Sequence, residues 1–287
     1  MRVTVRVPAT AANLGPGFDC FGLALDLCNA VDVDTESKPG VTWEGEGADE
    51  LPTDGSDLVS RAMRAAAEEV GGMLPPVSIR GTNRIPVERG LGSSAAAAVA
   101  GAAIGRSLLG WDPAERSEAF SVAARLEGHP DNAAAAAFGG VTIVVDGVPR
   151  RLDPHPELRP ALLVPTDVRS STSDARRGLP DPVARSDAVA QLAHVAALVI
   201  GLTTEPELLA IALRDRLHED ARLERIPAVR EYRDRLRDSG VPVCLSGAGP
   251  SLLAFESDGV EVPDPGEGWH VLRPGVRTTG AEIEIAD

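Results

Sequence analysis

Apolar and polar residues alternate over the opening of the chain, where Val3, Val5 and Val7 are interleaved with Arg2, Thr4 and Arg6. A period of two marks a half-buried strand, and Pro8, which cannot donate to a ladder, predicts its end. Residues 9–17 are small and turn-rich, and an apolar pattern resumes over 18–33 as further strand. Helices are predicted over 58–70, 95–109 and 113–126, the second of them rich in alanine, the strongest helix former. Shorter strands are predicted over 76–80 and 140–145. Residues 146–160 carry Gly147, Pro149, Pro154, Pro156 and Pro160. Such a cluster breaks both periodicities, so the pattern places a domain junction there, between 1–155 and 156–287. Beyond it come a strand over 161–164, helices over 184–201, 206–217 and 227–239, and strands over 242–245 and 251–255 joined by a glycine turn. Helices and strands occur in both halves without an internal repeat, which predicts an α+β fold.

Composition narrows the function. The 287 residues hold 28 Lys+Arg against 43 Asp+Glu, a net charge of −15. A nucleic-acid binder needs a basic face and aromatic rings to stack on bases; the aromatic content here is 3%. Neither requirement is met. Lys38 is the only lysine, and the acidic residues are spread along the chain as a solvated surface. Cys20, Cys28 and Cys244 form neither a disulfide framework nor a zinc motif. The Ala-rich stretch over 93–110 is interrupted by Arg106 and glycines, short of the roughly 20 apolar residues of a membrane span. A soluble, cytoplasmic chain is expected, with no nucleic acid and no membrane among its partners.

The strongest local signal is Gly90-Leu-Gly-Ser-Ser-Ala95 directly before the Ala-rich helix. Glycines let backbone amides close on an anion, and a helix start adds N–H donors and the positive end of its dipole. Ser93 and Ser94 stand where a hydroxyl either caps the helix or meets a phosphate or Mg²⁺. A Walker A loop requires a Gly-Lys pair, and Lys38 lies elsewhere. Any ATP site here works through backbone amides without a P-loop lysine.

Three ordered blocks extend this signal: Pro8-Ala-Thr-Ala-Ala-Asn-Leu-Gly-Pro-Gly-Phe-Asp19, then Pro86-Val87-Glu88-Arg89-Gly90-Leu91-Gly92-Ser93-Ser94-Ala95-Ala96, then Leu245-Ser-Gly-Ala-Gly-Pro-Ser251. Together they resemble the three motifs of the GHMP small-molecule kinases. The first block, Glu127-Gly-His-Pro-Asp-Asn132 before Phe138-Gly-Gly140, and Ser171-Thr-Ser-Asp-Ala-Arg-Arg-Gly-Leu-Pro180 are similar to the homoserine kinase branch. The resemblance spans essentially the whole chain. It implies a two-domain fold, the N-terminal half like domain 2 of ribosomal protein S5 and the C-terminal half ferredoxin-like. It also implies phosphorylation of the homoserine hydroxyl on the route to threonine, with ATP and Mg²⁺, and a homodimer. Another GHMP kinase of mevalonate or shikimate type is the nearest alternative, and a non-catalytic nucleotide-binding paralogue the more distant one.

By the same resemblance, residues 86–96 would cradle the phosphates, and Ser94 and Glu127 would hold Mg²⁺. Asn13, Asp19, His129, Asn132, Thr172, Arg176, Arg222 and Gly247 would bind the substrate. Asp19 suits the ammonium, and the planar forks of Arg176 and Arg222 suit the carboxylate. Ser94, Glu127, Asn132 and Arg176 would serve the transfer itself. Some relatives carry an aspartate where Asn132 stands; an amide cannot act as a base. Asp57-Leu-Val59 replaces the family's usual Asn-Leu-Val near the adenine pocket, keeping an acceptor and losing a donor.

Overall fold

A computed structural model describes residues 1–112, 116–170, 178–179 and 182–286. The opening alternation becomes β1 (Arg2–Ala12), antiparallel to β2 (Phe21–Asp34). Pro8 does not end the strand. The register shifts between Pro8 and Ala9, so the residue without an N–H sits at a bulge and the ladder continues beyond it. That continuation carries Thr10 and Ala12 towards the cavity that residues 86–94 line.

β2 is long enough to serve two partners. Ala30–Asp34 pairs with β4 (Ser78–Asn83), and Phe21–Leu23 pairs with β5 (Val141–Val145). β3 (Gly40–Gly45) runs parallel to β4, and β6 (Val148–Leu152) is antiparallel to β5. The far end of the chain returns as β11 (Glu282–Ala286) on the other edge of β1. Among the described residues this sheet has seven strands.

Against it pack α1 (Leu58–Glu69), α2 (Ser93–Ser107), α3 (Arg116–Glu127) and α4 (Asp131–Phe138). The Ala-rich α2 is buried over most of its length. A Cβ on Gly101 would lie 2.3 Å from the Val59 carbonyl oxygen and one on Gly105 2.5 Å from that of Met63, so α1 and α2 touch backbone to backbone. Arg106 is the buried charge on α2, and it meets Glu69 at 2.7 Å and Glu118 at 3.1 Å. The first part of the helix expected over 113–126, residues 113–115, lies outside the described residues.

The second sheet runs β10–β7–β9–β8, from β7 (Arg159–Pro165), β8 (Val243–Leu245), β9 (Leu252–Glu256) and β10 (Trp269–Leu272). β7, β8 and β9 are largely apolar without alternation because both faces are covered, whereas the edge strand β10 keeps exposed positions. Leu162, Val164, Leu253 and Phe255 join the main core, while Ala161, Leu163, Leu252 and Ala254 face Val229, Tyr232 and Leu236 of α8 (Pro227–Asp238). The expected junction at residue 155 falls between β6 and β7, and β11 crosses back into the first sheet.

α5 (Arg185–Thr203) is, among the described residues, the one helix with the length and apolar composition of a membrane span, at a mean hydropathy of 1.4. Its Leu198 and Leu202 lie in the main core. The helix expected over 206–217 is instead a single 3₁₀ turn and α6 (Leu209–Ala212), followed by α7 (Glu219–Leu223). Asp215 causes the break: its carboxylate accepts the N–H groups of Leu217, His218 and Glu219 and starts a new helix.

Candidate active site

The glycine loop is held open by its neighbours. Gly90 and Gly92 have φ of +72° and +68°, the left-handed region that favours glycine. A Cβ on Gly90 would stand 2.3 Å from the Ser246 carbonyl oxygen, and one on Gly92 1.9 Å from Thr10 Oγ1. Thr10 N–H donates to the Leu91 carbonyl at 3.0 Å, and Ser246 Oγ donates to that of Gly90 at 2.8 Å. Loop 86–92 is thus pinned between β1 and the turn after β8. Gly92 caps α2 with no side-chain bond, leaving the helix start as an array of N–H donors.

This helix start faces a cavity of about 340 Å³. Pro86, Val87, Glu88, Arg89, Gly90, Leu91, Gly92, Ser93, Ser94 and Ala96 line it, whereas Ala95 is fully buried and does not. Arg89 donates from Nη2 to the Thr166 carbonyl at 2.7 Å. Its Nη1 is buried with no hydrogen-bond partner among the described residues, as suits a donor kept for an anion. Burial, helped by nearby Arg169, lowers its pKa from the usual value.

Ser94 Oγ donates to Glu127 Oε2 at 2.7 Å, joining the start of α2 to the end of α3. Among the described residues no group of three His, Cys, Asp or Glu side chains could hold a metal ion. Two protein oxygens fit a Mg²⁺ that takes its remaining ligands from water and phosphate. Asn132 follows at the start of α4. Thr10 Oγ1 donates to its Oδ1 at 2.7 Å, so the amide turns its donor end, Nδ2, to a ligand. Asp131 Oδ1 accepts the Asn132 N–H at 2.7 Å and lies 3.3 Å from His129 Nδ1.

Asn13, also on the cavity wall, works within the protein. Its Oδ1 accepts the Asp19 N–H at 3.0 Å and its Nδ2 donates to the Gly247 carbonyl at 2.8 Å. It therefore fixes loop 13–19 and places Asp19 on the cavity wall. The Gly247 carbonyl also accepts Arg222 Nη1 at 2.9 Å, and the same nitrogen lies 3.0 Å from His218 Nδ1. Asn13, Asp19, Ser94, Glu127, His129, Asn132, Arg222 and Gly247 all line one cavity. Thr172 and Arg176 lie outside the described residues.

Comparison with known proteins fits this geometry. The family model for the GHMP kinases N terminal domain matches residues 57–140. A homoserine kinase of Corynebacterium aurimucosum is 42% identical over 272 residues, covering 91% of this chain and 88% of that one. A homoserine kinase of Cutibacterium acnes is 44% identical over 270 residues, covering 89% of each. The chain belongs to the homoserine kinase family. The crystal structure of homoserine kinase from Cytophaga hutchinsonii superposes with a TM-score of 0.81 at 28% identity, over 99% of this chain and 97% of that one.

Within this homoserine kinase frame, sequence reasoning passes over the residues that hold the others. Thr10 orients Asn132, Ser246 ties the two glycine turns together, and His218, Asp215 and Gln191 stand behind Arg222. The i,i+4 spacing of His218 and Arg222 is a usable signal. Asp57 lines the same cavity and also works within the protein. Its Oδ1 accepts the Ser60 N–H at 2.8 Å and its Oδ2 the Ser60 hydroxyl at 2.7 Å, so the carboxylate caps α1.

Proposed function

We propose that this chain transfers the γ-phosphoryl group of ATP to the side-chain hydroxyl of L-homoserine, giving ADP and O-phospho-L-homoserine. The observation that carries the reading is the convergence, in one cavity, of an amide-rich helix start, the Ser94–Glu127 pair, the Asn132 amide, the Asp19 carboxylate and the Arg222 guanidinium. The first two suit a nucleotide triphosphate, and the last two suit the ammonium and carboxylate of an amino acid.

ATP lies with its base at the apolar end, among Val31, Trp43, Leu51 and Leu58. Its phosphates run over loop 86–92 to the N–H groups of α2, with Arg89 Nη1 as a further donor. Ser94 and Glu127 would hold Mg²⁺, which would supply positive charge to neutralise the phosphates. Asp19 takes the ammonium of homoserine; Arg222, with Arg176 and Thr172, takes the carboxylate; His129 and Asn132 line the path of the hydroxyl. Phosphoryl transfer through a loose transition state needs alignment and charge neutralisation more than covalent help. Asn132 Nδ2 donates to the reacting oxygens and removes no proton, so the hydroxyl proton leaves to the transferring phosphate. ATP and homoserine are present together in the cytoplasm, where we place the chain.

An ADP-release assay with homoserine, mevalonate, shikimate and no acceptor tests the reading. Homoserine-dependent turnover well above the other three arms is expected. Turnover on shikimate or mevalonate alone overturns it, and release without an acceptor marks an idle ATPase.

A further inference from the structure

The role of His218 rests on the proposed assignment of the substrate carboxylate to Arg222. His218 is the N-cap of α7 and Arg222 lies four residues on, so the two side chains share a face. His218 Nε2 stands 2.9 Å from the Gly15 carbonyl oxygen. A carbonyl only accepts, so Nε2 carries the proton and Nδ1 presents a lone pair. Arg222 Nη1, which only donates, lies 3.0 Å from that lone pair. The protonation state is thus fixed at both ring nitrogens by partners that cannot exchange roles.

The surroundings hold the ring still. The His218 side chain is wholly buried and stacks on Phe18 with centroids 5.0 Å apart, and the Arg222 guanidinium lies 5.3 Å from the Phe18 centroid. Asp215 accepts the backbone N–H groups of Leu217, His218 and Glu219 at 3.0, 2.6 and 2.8 Å, which sets the start of α7. Gln191 on α5 donates to both Asp215 and the Pro16 carbonyl and accepts the Arg216 N–H. Residues 15 and 16, on the loop that ends in Asp19, are therefore tied to the same framework as Arg222.

We propose that His218 is a positioning residue for the amino-acid substrate: its Nδ1 lone pair orients the Arg222 guanidinium, while its Nε2–H fixes the loop that bears Asp19. One buried ring sets the separation between the carboxylate and ammonium subsites. Burial, the largest influence, lowers the His218 pKa despite the opposing pull of Asp215, which keeps the ring in the neutral form this role needs.

The two halves of the role separate by substitution. An asparagine side chain places an acceptor near Nδ1 only, and a glutamine side chain reaches the place of Nε2 only. The readout is the ratio of kcat/KM for homoserine to that for 3-aminopropan-1-ol, the same amino alcohol without its carboxylate. Melting temperature and the KM for ATP are measured alongside. His218→Gln is expected to lower the ratio about tenfold through the homoserine KM, with the ATP KM changed less than about twofold. His218→Asn is expected to keep the ratio within about threefold while lowering the melting temperature through lost ring packing. A wild-type ratio in His218→Gln, or an equal loss in both variants, overturns the proposal. Arg222→Gln separates this from failure of the underlying assignment. If that variant keeps the wild-type ratio, the carboxylate assignment itself is wrong. If it collapses the ratio while His218→Gln does not, only the positioning role falls.

Discussion

Asn132 is oriented by one hydrogen bond. Because Thr10 donates to Oδ1, the cavity sees an N–H₂ group, and Asn132→Asp would keep the Thr10 bond while replacing that donor with an anionic oxygen beside the phosphate path. Turnover is expected to fall at least about tenfold, with the homoserine KM changed less than about threefold, as for loss of a donor that acts on developing charge. Steady-state kinetics of the variant decides the point; a faster enzyme would mean that a base at this position helps. His218 allows a second residue-level prediction, in stability. Its pKa is lowered in the folded protein from 6.5, so below about pH 6.5 the unfolded chain takes up a proton that the folded chain refuses. The stabilisation is complete above that pH and is lost as pH falls from there through the folded pKa. The wild-type melting temperature should drop between pH 7 and pH 5 by more than that of His218→Asn, which has no ring to titrate. At this scale the motif-borne residues are legible in the sequence, since Ser94, Glu127, Asn132 and Arg222 reach one cavity. Their partners are less so: Thr10 gains meaning only from a contact 122 residues away, and the i,i+4 spacing of His218 and Arg222 is a signal only once the turn at Asp215 is known.

Elements show the same division between local and distant causes. The Ala-rich run after Gly92 and the amphipathic stretch starting at Leu58 declare α2 and α1, and Asp57 before the latter has the chemistry of an N-cap. An asparagine, which the family resemblance leads one to expect there, could accept the same Ser60 N–H. Asp57→Asn should therefore leave the KM for ATP within about twofold and stability nearly unchanged. Asp57→Ala should cost about 1 kcal/mol, read as a fall of about 2–4 °C in melting temperature. A large rise in the ATP KM of Asp57→Asn would instead assign the carboxylate to the nucleotide. Pro8 and the 206–217 segment mislead for a shared reason. In each the surrounding contacts outweigh the local pattern: a bulge that β2 tolerates carries the strand past Pro8, and Asp215 gathers the N–H groups of residues 217–219 where the pattern predicts an unbroken helix. β3, β6, β10 and β11 are short strands with exposed positions, stabilised by the neighbours they pair with more than by any pattern of their own.

At the scale of the whole molecule, the cavity depends on parts far apart in sequence, since Gly247, set against Gly90, and Arg222 line it together with residues 86–94 and 127–132. The acidic surface is compatible with the proposed anion site, because the donors that site would use are backbone amides and two arginines, Arg89 and Arg222, withdrawn from bulk solvent. β1 links this interior to the far edge of the fold. Its first half, Arg2–Arg6, carries β11, and its second half, beyond the shift at Pro8/Ala9, carries Thr10 and leads to Asn13. Removing the chain after Gly280 would turn β1 into an edge strand and strip away the buried Ala281 and the partly buried Ile283. It would also break the Arg277–Glu282 ion pair. A loss of about 2–4 kcal/mol is expected, a melting temperature lower by about 5–10 °C, together with a tendency to self-associate through the bared strand. The kcat at 20 °C should stay within about twofold, because the bulge lets the two halves of β1 hold separate registers. Calorimetry and steady-state kinetics on the truncated chain distinguish the outcomes. A lower kcat at unchanged melting temperature would mean that β11 acts on the active site through β1, and that the bulge transmits strain instead of absorbing it.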